Sequence, residues 1–116
     1  MNRDIAQKWL AALRSGKFKQ GSMSLVQGEK GQKSHCCLGV LCAISPWKNT
    51  YDRMDPEDTG TYEVNCVLPK KVQEWAGLAS AKGTVPGHVR SLTMLNDDGT
   101  PFTEIADVIE QNLDKL

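Results

Sequence analysis

The feature that most constrains this chain is a run of nine residues, Cys36-Cys37-Leu38-Gly39-Val40-Leu41-Cys42-Ala43-Ile44, carrying no charge, amide or hydroxyl side chain. Such a run belongs in a core, whether as a buried helix or a buried strand, because periodicity cannot separate the two over so short a stretch. Its borders favour a helix: Ser34 can cap a start, and Pro46 cannot continue one. A β-hairpin whose second arm is Ser34 to Leu38 is the alternative. Gly39 weakens a helix by ~1 kcal/mol unless its missing side chain lets a second backbone approach closely.

The flanks supply partners for that run. Residues 2–15 read as a helix, with Asn2 as cap, Asp4 at the positive end, and Ile5, Trp9, Ala12 and Leu13 on one face. Gly16 is a natural stop. Met23 and Leu25 suggest a strand over 22–26, with a turn at Gly28-Glu29-Lys30-Gly31. Tyr62 to Val67 alternates with period two and predicts a further strand. Pro69 opens a short helix carrying Val72, Trp75 and Ala76, stopped by Gly77 with Leu78 behind it. A short strand is expected near Thr84-Val85, one helical turn or more over Ser91–Leu95, and a turn at Asn96-Asp97-Asp98-Gly99. Thr100 is expected to cap a last helix, with Pro101 at its first position and Phe102, Ile105, Ala106, Ile109 and Leu113 as its buried stripe. The expected fold is therefore α+β, with three or four helices packed on a small antiparallel sheet. A length of 116 residues suits a single domain over 1–116, and no repeat or linker interrupts it.

The formal charge is zero, which argues against a protein that coats nucleic acid or anionic membrane. The balance conceals an asymmetry. Residues 1–34 hold seven Lys and Arg against two acids, whereas after Asn96 six acids face only Lys115. These are either two faces of one domain attracting each other or a basic site for an anionic ligand. No stretch has the roughly 18 apolar residues of a membrane span, and the N-terminus lacks the apolar heart of a signal peptide. A cytoplasmic protein is expected, with its four cysteines as free thiols.

Several segments resemble small accessory proteins of bacteriophages and prophages: Trp9-Leu10-Ala11-Ala12-Leu13-Arg14-Ser15-Gly16, Cys36 to Cys42, Leu68-Pro69 with Trp75-Ala76-Gly77-Leu78, Leu95-Asn96-Asp97, and Phe102 to Glu110. The 45–60 and 79–90 segments fall outside the likeness. The resemblance implies a phage-type accessory protein in the cytoplasm of a bacterial host, and it carries over no catalytic residues.

Chemistry-bearing residues fall into three groups. Cys36 or Cys37, with His88 as base and Asn96 or Asp97 as orienter, has the chain order of a cysteine nucleophile site. Buried structural thiols are the more ordinary explanation of the same cysteines. His35, Cys36, Cys37, Cys42, Cys66 and His88 include zinc-ligand types, but no Cys-x-x-Cys pair occurs and adjacent cysteines point apart, so no metal is expected. No phosphate-binding or dinucleotide glycine motif occurs, and no cofactor is expected. The third group is Arg14, Lys17 and Lys19 with the loop residues Trp47, Tyr51 and Arg53, a basic and aromatic set suited to an anionic, stacking ligand.

Taken together, these residues and the resemblance lead us to expect a protein that acts by binding rather than chemistry, in host takeover or counter-defence. It would either inhibit a bacterial host protein or sequester an anionic nucleotide signal. The alternatives are a small cysteine-dependent enzyme and a purely structural or regulatory interaction module.

Overall fold

The computed structural model describes residues 1–22, 25–29, 32–47 and 67–116, with only the backbone of 27–29 and 32. Among these residues the chain is mostly helical. The first helix, α1 (Arg3–Arg14), is capped by the Asn2 side chain, which accepts from the Ile5 N–H at 3.0 Å. It buries Ile5, Ala6, Trp9, Leu10 and Leu13, the face its apolar spacing marks. A hairpin follows, β1 (Val26–Glu29) antiparallel to β2 (Gln32–His35), with Val26 opposite His35 and Glu29 opposite Gln32. Next come α2 (Cys37–Ala43), α3 (Lys70–Ala76), α4 (Leu92–Asp97) and α5 (Phe102–Gln111).

The helices pack on one another, α1 against α2 and α5, and α4 against α2 and α5. The expected helices are present, and among the described residues the expected antiparallel sheet amounts to the hairpin. Among the described residues the only strand pairing is the hairpin, extended by one parallel bridge from Gln20 to His35. The strand expected over 62–67 lies, apart from Val67, outside the described residues, as do Tyr51, Arg53 and Cys66. Thr84-Val85 forms no strand; Val85 is instead a buried plug in a loop.

The apolar run is a helix, and its start shows why Ser34 does not cap it. Ser34 and His35 are held in the hairpin, so helical geometry begins only after Cys36, whose sulfur accepts from the Gly39 N–H at 3.3 Å. Gly39 then explains itself. The Leu25 carbonyl lies where a side chain at Gly39 would stand, so the backbone just before β1 approaches α2 closer than any other residue would allow. That carbonyl also accepts from the Cys36 N–H at 3.2 Å. Trp9 locks α1 over the same helix: it is fully buried, and its indole N–H donates to the Cys37 carbonyl at 2.9 Å.

Two other boundaries differ from expectation. Asn96 and Asp97 belong to α4, capped by Ser91, and the turn is confined to Asp98-Gly99 with Gly99 at φ 89°. Pro101, not Thr100, stands at the start of α5, with no side-chain hydrogen bond to the helix. α3 ends as expected on left-handed Gly77 (φ 72°), with the Leu78 N–H returning to the Gln73 carbonyl at 3.1 Å. The Asn2 N–H donates to the Ala76 carbonyl at 2.8 Å, and the Ala79 N–H to the Leu116 carbonyl at 2.9 Å, which ties both chain ends to α3.

Candidate functional site

The cysteines sit where the core is densest. Cys37 is fully buried and its thiol donates to the Leu92 carbonyl at 3.5 Å. Burial, reinforced by the nearby Asp97 charge, pushes this thiol up to about 12, so thiolate is scarce at neutral pH. Cys42 is also free and buried. Cys36 is disulfide-bonded, which corrects the expectation of four free thiols. His88 lies on an exposed loop, its backbone N–H bound to the Val85 carbonyl at 3.0 Å. The Cys-His-Asn arrangement therefore does not assemble: the thiol is inside, the imidazole is on the surface, and the Asn96 amide is engaged elsewhere. Among the described residues no three of His, Cys, Asp or Glu gather to hold a metal ion.

The basic set divides as well. Arg14 reaches across to α5 and pairs with Asp107 at 2.8 Å and Glu110 at 2.6 Å, which raise its already high pKa. Arg3 pairs with Asp114 at 2.5 Å. The basic front and acidic tail are thus, at these contacts, two faces of one domain drawn together. Lys17 and Lys19 are exposed. Trp47 is half-buried against the core, edge-on to Trp75 with centroids 6.5 Å apart, and the Lys71 ammonium lies 5.3 Å over its ring. Arg14 is thus engaged with α5, and Trp47 with Trp75 and Lys71.

A polar cleft does exist, at a place the spacing of charges and aromatics does not mark. Its volume is about 440 Å³, and Gln20, Gly21, Ser22, Ser34, Asn96, Asp97 and Gly99 line it. Asn96 is its joint. Ser91 starts α4 so that Leu92 and Asn96, four residues apart, share the buried face, and Asn96 is 1% exposed. Its Oδ1 accepts from the Cys37 N–H and from Gln20 Nε2, both at 3.1 Å, while its Nδ2 donates to the Gly21 carbonyl at 2.7 Å. Gln20 Nε2 also donates to the Thr100 carbonyl at 2.7 Å.

The orientation of both amides follows from their partners. A backbone N–H can only donate and a carbonyl can only accept, so Cys37 fixes the oxygen of Asn96 while Gly21 and Thr100 fix the two nitrogens. The Cys37 N–H is one of the amides that a helix start leaves without an intrahelical partner, and Asn96 satisfies it from another helix. Backbone bonds complete the wall: the His35 N–H donates to Lys19 O and the Gly21 N–H to His35 O, each at 2.8 Å. His35 is buried, edge-on to Phe18 with centroids 5.1 Å apart. A signal for this joint is present in the sequence, since Asn96 occupies an apolar position in the Leu92–Asn96 period. The Asn-Asp-Asp-Gly string masks it with a stronger turn signature.

A second, smaller hollow of about 210 Å³ lies among Arg14, Asp107, Glu110 and Gln111, groups already paired across α1 and α5. Among the described residues no helix is long and apolar enough to cross a membrane. No curated protein and no solved structure matches the chain. A family model described as a domain of unknown function (DUF8296) matches residues 1–113, and the chain belongs to that family.

Proposed function

We propose that this is a phage-type accessory protein that acts by binding a bacterial host protein, in host takeover or counter-defence, and that it engages its partner at the cleft organised by Asn96. The observation that carries the reading is the division between sealed and open chemistry. The free thiols are buried, whereas amide, hydroxyl and carboxylate groups from three separate segments line one solvent-facing cleft. Convergent polar groups on a rigid scaffold suit recognition, and a volume of this size is within the range of ligand sites. The phage-like segments motivate the host role. The nucleotide-sequestering version draws less support, because Arg14, the centre of its basic site, is paired with two carboxylates.

Immobilised protein tests this directly. Ser22 is exposed on the cleft wall, so Ser22→Trp fills the cleft without entering the core. A bacterial protein captured by the wild type and lost with Ser22→Trp supports the reading. Equal capture by both removes the cleft from it. A rise in melting temperature with a nucleotide, and no captured protein, moves the function to ligand sequestration.

A further inference from the structure

We infer that the loop between Gly83 and Leu92 is a second contact surface, a preformed knob whose tip, Val89, enters an apolar pocket on the host protein that the cleft engages. The inference rests on the binding role proposed above and names what that partner must present. Val89 is 97% exposed, although valine is among the side chains most often buried, and Pro86, Gly87, His88 and Arg90 beside it are exposed as well. On a loose loop a single exposed valine would mean little. This loop is held. The Leu92 N–H donates to the Gly83 carbonyl at 3.0 Å, and the Thr93 N–H and hydroxyl donate to the Lys82 carbonyl at 3.2 and 3.1 Å, which closes the neck. Gly83, at φ 69°, packs so tightly on Leu92 that a side chain there would come within 2.8 Å of it. Val85 and Leu92 are buried on either side of the exposed residues 86–90. Val85-Pro86-Gly87-His88 has the pattern of a type II turn, with proline second, glycine third at φ 86°, and the His88 N–H donating to the Val85 carbonyl at 3.0 Å.

Shape and chemistry together select the occupant. A segment that leaves the core and returns through one neck is convex, so its counterpart is concave. The tip is apolar, and Arg90, the cation next to it, is paired with Asp98, so the knob suits an aliphatic pocket better than a phosphate. Met94, 48% exposed on α4 just past the neck, adds adaptable apolar surface. A second copy of the chain is a poor occupant. A stable dimer buries about 800 Å² on each partner, and one valine with half a methionine supplies a small part of that. A lone anchor suits a partner already held close by, and a loop fixed in advance loses little freedom on docking. The Arg90–Asp98 pair supplies the closeness. Asp98 stands between Asp97 and Gly99, both on the cleft, so the loop is tied to the end of α4 that forms the cleft wall.

The probe is the host protein captured by the wild-type chain, identified by mass and purified. Calorimetric titration with the full chain should find Val89→Ile near wild type, Val89→Ala about tenfold weaker and Val89→Asp weaker by about a hundredfold or more. Melting temperatures should not change, because the position is on the surface. A photo-crosslinking p-benzoylphenylalanine at position 89 should attach to residues lining an apolar pocket of that protein. Undiminished affinity of Val89→Asp, or a crosslink confined to a charged surface, would overturn the inference. A wild-type dimer that Val89→Asp dissolves would overturn it in favour of a second copy, and Val89-dependent flotation with phosphatidylglycerol vesicles in favour of lipid. The two readings fail separately. If Ser22→Trp abolishes binding while Val89→Asp does not, the cleft stands and the knob falls. If Val89→Asp abolishes binding while Ser22→Trp does not, the knob stands and the cleft falls. Capture of no host protein by the wild type removes both.

Discussion

Two seams hold the front of this chain to its back, and they are built on opposite principles. The inner seam joins α2 to α4 and Gly21 through Asn96, to Leu25 through Gly39, and to α1 through Trp9, all in contact with buried backbone. The outer seam joins α1 to α5 and the C-terminus through Arg14 and Arg3, whose side chains remain well exposed. Buried polar groups are expensive to strand, because each lost partner leaves a desolvated donor or acceptor behind. Exposed ion pairs are screened by water and salt and can be removed with little consequence. The inner seam should therefore dictate both stability and the shape of the cleft, and the outer seam should do neither.

Substitutions rank accordingly. Gly39→Ala should have the largest effect, about 3 kcal/mol or more, because the added methyl must displace the Leu25 backbone rather than a flexible side chain. Asn96→Leu should follow closely, at about 3 kcal/mol, since it strands the Cys37 N–H and the Gly21 carbonyl together. Urea denaturation measures both. A loss under about 1 kcal/mol for either would mean that the inner seam is looser than drawn.

Alkaline pH probes the same seam from within. The folded pKa of Cys37 is raised, so the native state keeps its proton after the unfolded chain has released it. The stability that Cys37 contributes is full below the ordinary thiol range and is lost as pH rises from about 9 toward 12, with a total on the order of 4 kcal/mol. Melts of the wild type and Cys37→Ala across that window should differ in slope, with the variant less sensitive to pH. Parallel curves would place the thiol in a wetter site. Arg14→Ala should produce the smallest change in melting temperature, and about 1 M salt should reduce it further. A large, salt-independent loss would reverse the ranking of the two seams.

The legible parts of the fold were those set by local rules. Asn2 capping, Ile5, Trp9 and Leu13 on the buried face of α1, Gly77 as a stop and the α5 stripe from Phe102 to Ile109 all follow from spacing and turn chemistry. Ala12 is only half-buried, and Leu113 lies past the end of α5. Even the special role of Gly39 could be framed beforehand as a close backbone approach. The partner backbone could not, because Leu25 reaches Gly39 only through the tertiary fold. The site was harder to read for the same reason. Arg14 looks like a ligand-binding residue until the acids of α5, 93 and 96 positions away, are brought beside it. Asn96 looks like a turn residue until burial gives its amide three partners. Local sequence records which polar groups exist; only packing decides which face water.

The free thiols are sealed in the core, and the proposed recognition is left to the surface cleft. Iodoacetamide labelling of the native protein near neutral pH, read by intact mass and peptide mapping, tests it most directly. With Cys37 pushed up to about 12, only on the order of one molecule in 10⁵ carries the thiolate at pH 7. Cys37 and Cys42 should therefore stay unmodified until the chain unfolds. Rapid modification of Cys37 in the folded protein would contradict the claim and return the thiol to the centre of the function.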